Sequence, residues 1–292
     1  MSIEDLLEYC NWRWQQQHGS ADPPLIRRGR YVEGQFGGVR LASEFAPVRM
    51  TESPAVIIGH IAKLRASLSD RWGADALHEV HGRSAVVDFD RLCRTMHMLN
   101  YIGGKSEPDS ELFLDVDPRH ILSVPNDHGA YFADVIHRCG LNPGQVIMTT
   151  AFGVWSRSVE ATHRLVAGMA NYRDRGYRLA LKLDERPLVR SGLNILLRVA
   201  PDYVRIGLAD VSVSERSLGG STSRDLGHLT RLVAGFGGQV LLEGVERGAG
   251  FELAQAAAVQ LFEGPFPGRG RKSDAAGGAI KGVRRRMHVQ TI

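Results

Sequence analysis

From residue 39 to about 268 the chain alternates short β-rich runs with amphipathic helical stretches, and this alternation limits its fold more than any other feature. The spacing predicts strands near 40–49, 55–65, 112–116, 146–150, 178–183, 203–207, 239–243 and 259–263. Between them, Phe89, Leu92, Cys93, Met96 and Leu99 recur at helical spacing over 84–102, with Ser84 as N-cap. Phe132, Val135, Ile136 and Cys139 form another stripe over 128–139, and Leu165, Val166, Met169 and Tyr172 one over 156–175. Leu226, Leu229, Leu232 and Val233 mark a further helix, and 250–259 is a short Ala-rich helix before the last strand. Such alternation requires a mostly parallel sheet covered by helices. About eight strands in about 230 residues fit a closed (β/α)8 barrel better than an open doubly wound sheet. No G-x-G-x-x-G or Walker-type run follows a strand, so dinucleotide and P-loop readings have no support.

Apolar residues are 43% of the 292 and charged residues 23%, which excludes a mostly disordered chain and supplies a sizeable core. The longest apolar runs are short, such as Ala55–Ile58, so no transmembrane span is expected. The start, Met1-Ser-Ile-Glu-Asp, is acidic and unlike a signal peptide. Three widely spaced cysteines (Cys10, Cys93, Cys139) fit a reducing compartment, and the expected location is cytoplasmic. The net charge of +4 misleads, because seven Lys/Arg stand against Asp274 alone between Arg269 and Ile292. Residues 269–292 therefore read as a basic, flexible, solubilising tail. Arg284-Arg-Arg invites nucleic acid, but no aromatic is there to stack on a base, and nucleic-acid binding is not the expectation. Residues 1–38 read as a lead-in. Ser2-x-x-Asp5 is a capping box opening a short helix, Trp12 and Trp14 are expected to cover the domain edge, and Gly29, Gly34, Gly37 and Gly38 suggest a hairpin or loops. The expected division is thus 1–38, 39–268 and 269–292.

In a barrel, chemistry sits at the C-terminal ends of the strands. Those ends include Gly59-His-Ile-Ala-Lys-Leu-Arg65, Leu112-Phe-Leu-Asp-Val-Asp-Pro-Arg119 and Val146-Ile-Met-Thr-Thr150. Further along stand Gly-Tyr-Arg-Leu-Ala-Leu at 176–181, Pro-Asp-Tyr-Val-Arg-Ile at 201–206, Leu-Glu-Gly-Val-Glu at 242–246 and Val259-Gln-Leu-Phe-Glu-Gly264. In order and spacing the series resembles the EAL domain, the bacterial cyclic di-GMP phosphodiesterase family, over roughly residues 39–268. The resemblance implies a TIM-like barrel with the nucleotide laid across the strand ends. It also implies two divalent ions, held by carboxylates and an amide, that generate hydroxide for phosphodiester hydrolysis.

The departures from that pattern are concentrated at the implied ligands. The Glu of Glu-Ala-Leu becomes Ile61 in Ile61-Ala62-Lys63. The third-strand Asn becomes Asp115, the fourth-strand Glu becomes Thr149, and the Asp-Asp pair becomes Lys182-Leu183. The sixth-strand Lys becomes Arg205 and the Asp after it Gly207, while the seventh-strand Glu remains as Glu243 and the eighth-strand Gln becomes Glu263. A lysine beside two divalent ions adds repulsion of several kcal/mol even at an effective dielectric of about 20. His60 does not replace the lost Glu, because alternation turns it to the other face. No metal or other cofactor is therefore expected, and the barrel reads as a degenerate EAL domain that cannot perform its family's reaction.

Nucleotide binding without metal stays open. The resemblance makes Arg65 a ligand contact, and Asp115, Arg119, Lys182, Arg205 and Glu243 are the further nucleotide-binding candidates. Lys182 either meets a phosphate directly or, the preferred alternative, forms an ion pair with Glu243 or Asp115 in the vacated metal site. Against binding, the family's Gln-Pro is Ala46-Pro47, and its Asp-Phe-Gly loop is Leu183-Asp184-Glu185 followed by Arg186-Pro187. His78 and His81 read as a surface pair, 214–224 as a polar linker, and Cys93 and Cys139 as buried and inert. The expected function is regulatory, in cyclic di-GMP signalling, through a protein partner. The alternatives are a phosphodiesterase rebuilt on Asp115, Glu243 and Glu263 with Mg²⁺ or Mn²⁺, or a nucleic-acid binder acting through the tail. The oligomeric state is not legible.

Overall fold

The computed structural model describes residues 2–19, 22–68, 71–72, 83–104, 109–125, 128–151, 158–183, 190–209 and 222–266. The His78/His81 pair, residues 184–187, most of 214–224 and the basic tail lie outside the described residues.

The chain begins with α1 (Ile3–His18), β1 (Leu25–Arg28), β2 (Tyr31–Phe36), β3 (Val39–Met50), β4 (Ile57–Leu68) and β5 (Arg71–Trp72). Next come α2 (Arg83–Gly104), β6 (Glu111–Asp115), α3 (Pro118–Ser123), α4 (Ala130–Arg138), β7 (Val146–Ala151) and α5 (Val159–Asp174). Then follow β8 (Arg178–Leu183), α6 (Arg190–Val199), β9 (Tyr203–Gly207), α7 (Thr222–Gly235), β10 (Gln239–Glu243), α8 (Gly248–Ala256) and β11 (Leu261–Glu263). Strands β4 and β6–β11 pair in parallel sequence, and β3 closes the ring by pairing with both β4 and β11. The result is a closed eight-stranded barrel wrapped by helices, as the alternation requires.

Around the ring, the run of parallel strands is broken at β3. β3 is antiparallel to both neighbours and reaches β4 through residues 51–56 alone. That link is too short for a parallel crossover, which needs a dozen residues or more. Two helices are also new relative to the sequence expectation, α3 and α6. Both are short, and α6 contains Gly192 and Asn194, which hide its stripe of Leu193, Ile195, Leu196 and Val199.

Residues 3–36 dock on the barrel. The capping box forms as spaced, with Asp5 N donating to Ser2 Oγ at 3.1 Å and Ser2 N to Asp5 Oδ2 at 2.9 Å. Nothing breaks the helix before Gly19, so α1 runs past both tryptophans. Trp14 packs against the core, whereas Trp12 stays 56% exposed. Asn11 clasps the backbone of Leu25, donating to its carbonyl at 2.9 Å and accepting from its N–H at 3.1 Å. β1 and β2 add a meander to β3, and Leu6, Cys10, Leu25 and Val32 join the same buried cluster as Leu92 and Met96 of α2.

Inside the ring a separate cluster fills the barrel: Val48, Ile61, Phe113, Ile147, Ala180, Tyr203, Leu241 and Leu261, one from each strand. Gly59 lets β4 approach β6, since a Cβ there would stand 2.6 Å from the Glu111 carbonyl oxygen.

Candidate functional site

Side chains alternate across a strand, so the inward residue two positions beyond each plug residue faces the C-terminal mouth. On the parallel strands those residues are Lys63, Asp115, Thr149, Lys182, Arg205, Glu243 and Glu263. The barrel thus gathers six of the positions singled out in the sequence, and adds Lys63. Ile61 lies one layer below, fully buried in the plug. Leu183 faces the other way, into the outer core, and Gly207 ends β9 opposite Glu243.

The centre of the mouth is an ion triad. Arg205 is 1% exposed. Its Nε donates to Glu243 and its Nη1 to Asp115. Burial alone would lower the guanidinium's pKa, but the two carboxylates outweigh it and hold the pKa above its ordinary value. The ion pair expected of Lys182 is therefore made by Arg205. Strand order accounts for the Glu243 contact: β9 is the direct neighbour of β10, which carries Glu243, whereas β8 is one strand further away. The Asp115 contact is made by the guanidinium reaching across the mouth to β6. Lys182 sits beside Arg205 in register, half-buried, lining the same cavity without an ion-pair partner among the described residues.

Lys63 Nζ contacts Glu263 Oε1 at 2.7 Å, and Gly244 N donates to Glu263 Oε2 at 3.2 Å. Thr149 is buried, and its hydroxyl has no hydrogen-bond partner among the described residues. Arg119, in the first turn of α3, also lines the cavity and pairs back to the N-cap Asp117 at 2.7 Å. Arg65 stands apart on the exposed rim of β4, 3.9 Å from Glu44. His60 points outward, as alternation predicts, with its ring 6.0 Å from that of Tyr101.

The cavity at the mouth measures about 830 Å³ and extends over the end of β6 to the face of α2, where it meets Phe89, Asp90, Cys93 and His97. Sequence reasoning missed Asp90 and His97 because helical periodicity marks apolar residues only. Behind this wall Asp90 is buried, paired with Arg94 and 3.0 Å from His120 Nδ1, and it accepts from Asp117 N at 3.0 Å. Burial pushes its carboxyl up, but Arg94 and His120 outweigh burial and hold it at about 2. Asp90 thereby holds the N-cap of α3, the helix whose first turn carries Arg119. Burial lowers His97 to about 4, so its ring is neutral at ordinary pH. Burial also pushes the Cys93 thiol well up, which fits the inert role expected of it.

No protein-family model and no curated protein sequence matches the chain. Solved structures do. The Bacillus subtilis YkuI protein, with an EAL domain and in complex with substrate c-di-GMP and calcium, superposes with a TM-score of 0.61 at 15% identity, over 76% of this chain and 53% of that one. Klebsiella pneumoniae BlrP1, in a calcium and cyclic di-GMP complex, gives 0.62 at 18% identity over 77% and 54%. The same protein has been solved with FMN and cyclic di-GMP and no metal ions, and that structure gives 0.56 at 16% identity over 77% of this chain and 51% of that one. A standalone EAL protein from Vibrio cholerae O395, in its c-di-GMP bound form, gives 0.60 at 18% over 77% and 89%. The chain spans about half the length of the YkuI and BlrP1 chains. At these identities the likeness establishes the fold: this is a barrel of the EAL type.

Proposed function

We propose that the protein is a regulatory member of cyclic di-GMP signalling that binds the nucleotide without metal, does not hydrolyse it, and acts through a protein partner. The observation that carries this reading is the Arg205 guanidinium clamped between Asp115 and Glu243. A two-metal hydrolase needs oxygen ligands free to meet four positive charges. At this mouth the three carboxylates Asp115, Glu243 and Glu263 are each ion-paired to a protein cation. The remaining implied ligand positions are Ile61, Thr149, Lys182, Leu183 and Gly207, none of them a carboxylate. The donor set does not fit two divalent ions, and no step is derived through them. Lys182 supplies a cation to a phosphate where metal-dependent relatives would use a metal ion. The structure of the neighbour BlrP1 with FMN and cyclic di-GMP and no metal ions supports this reading by analogy.

Calorimetry of the whole chain with cyclic di-GMP, with and without chelator, tests the reading. Binding is expected to be unchanged by chelator and weakened about tenfold or more by Lys182→Ala. No heat at high nucleotide concentration would contradict it. So would formation of linear dinucleotide with Mg²⁺ or Mn²⁺ that Glu243→Ala abolishes; that result would favour the hydrolase rebuilt on Asp115, Glu243 and Glu263.

A further inference from the structure

A second cavity, of about 520 Å³, opens at the opposite end of the barrel from the mouth. Its walls come from the starts of the parallel strands: Ile57 and Ile58 of β4, Glu111 of β6, Arg178 of β8 and Gln239 of β10, with Asp109 beside them. Tyr203, the plug residue that starts β9, also lines it.

Glu111 is 15% exposed. Its carboxylate accepts from the Tyr203 hydroxyl, at 2.9 Å to Oε1 and 2.8 Å to Oε2, and from Arg178 Nη1. Arg178 is shared, because its Nε also stands 3.5 Å from Asp202 Oδ1. Burial pushes the Glu111 carboxyl above its ordinary range, and Tyr203 and Arg178 offset only part of that. A carboxylate offers about four lone-pair sites, so Glu111 has room for a further donor. Asp109 is exposed and has no ion-pair partner among the described residues. The Asp109, Glu111 and Asp202 carboxylates thus stand against the one guanidinium of Arg178. Beside them the β3–β4 turn is apolar: Val56, next to Ile57 in the chain, is 46% exposed, and Ala55 is exposed too.

We propose that this end of the barrel docks a segment of the protein partner that carries a lysine or arginine flanked by apolar residues. The basic group enters between Asp109 and Glu111, its aliphatic stem runs along Ile57 and Ile58, and its apolar neighbours cover Ala55 and Val56. The proposal rests on the partner-mediated reading above and gives the partner a face on the far side of the barrel from the mouth. A cation supplies Glu111 with the charge that burial leaves unmatched. An anionic segment would meet Asp109 and Glu111, and Arg178 is already engaged by two carboxylates. A free polyamine would satisfy the carboxylates but leave the apolar turn uncovered.

Panning a displayed library of random peptides against the immobilised whole chain tests this without a known partner. Recovered peptides are expected to share one Lys or Arg with apolar neighbours. As free labelled peptides in fluorescence polarisation, they should bind about tenfold or more weakly to the Asp109→Lys and Val56→Ser variants and equally well to Asp109→Glu. Both positions are exposed, and unchanged circular dichroism would confirm the fold of each variant. Recovered peptides with no basic residue in common, or binding that survives Asp109→Lys, would overturn the proposal. So would spermidine binding as tightly as the peptides, which would make the cavity a polyamine site. Binding lost on Asp115→Asn and kept on Asp109→Lys would put the partner at the mouth; this proposal would fall while the partner-mediated reading stood. If no peptide is enriched and cyclic di-GMP still binds, the docking face falls and the nucleotide reading stands.

Discussion

Arg205 is the residue on which the chemistry of the mouth turns. Its charge is buried, and each of its two partners is needed to offset the loss of water. Removing the more buried partner, by Glu243→Ala, is expected to cost about 3 kcal/mol in urea unfolding, because it leaves a buried guanidinium half-paired. A cost below about 1 kcal/mol would mean that water already reaches Arg205. The buried pair on α2 makes a prediction in pH. The folded carboxyl of Asp90, at about 2, lies below its ordinary 3.8. Its contribution is therefore full above about pH 4 and is lost as pH falls towards 2. His97, lowered from 6.5 to about 4, resists protonation in the folded state, so stability falls earlier, between about pH 6.5 and 4. The lower window is worth about 2 kcal/mol and the upper about 3 kcal/mol or slightly more, and His97→Gln should remove the upper one alone. Stability that stays flat from pH 7 to 4.5 in the parent chain would contradict the His97 assignment. At this scale the positions at the mouth were legible in the sequence, since strand alternation and the motif series mark them together. Which cation meets which carboxylate was not. That depends on strand adjacency and side-chain reach, and it moved the expected ion pair from Lys182 to Arg205. Asp90, Arg94 and His97 were hidden because a buried polar residue on a helix looks, in one dimension, like part of a solvated face.

Among the elements, the eight barrel strands were legible nearly residue for residue. Their apolar runs are bounded by turn residues and separated by helical stripes. The antiparallel course of β3 was not, because strand direction follows from the length of the connection rather than from the strand's own residues. The α6 helix ends with Ala200 at φ +43, a left-handed conformation that a side chain disfavours, where its N–H bonds the Leu196 carbonyl at 2.7 Å. Ala200→Gly is expected to stabilise the protein by about 0.5–1 kcal/mol, the relief of strain being partly offset by a freer unfolded chain. An unchanged or lower melting temperature would show that the turn is not strained.

For the whole molecule, the barrel and the segment 3–36 share one sheet and one outer core, so the turn at Gly37-Gly38 lies inside a single folded unit. No helix among the described residues is long and apolar enough to cross a membrane. The plug inside the barrel and the cluster outside it hold the described strand ends between them, and those ends carry the mouth residues. At the centre of that mouth stands a buried guanidinium held by two carboxylates, and the proposed reading is that it leaves no place for a pair of divalent ions. Titrating Mn²⁺ into the whole chain saturated with cyclic di-GMP, and following free Mn²⁺ by electron paramagnetic resonance, tests this most directly. The free-ion signal is expected to rise with each addition as it does in buffer. Uptake of two equivalents, lost in Glu243→Ala, would contradict the account.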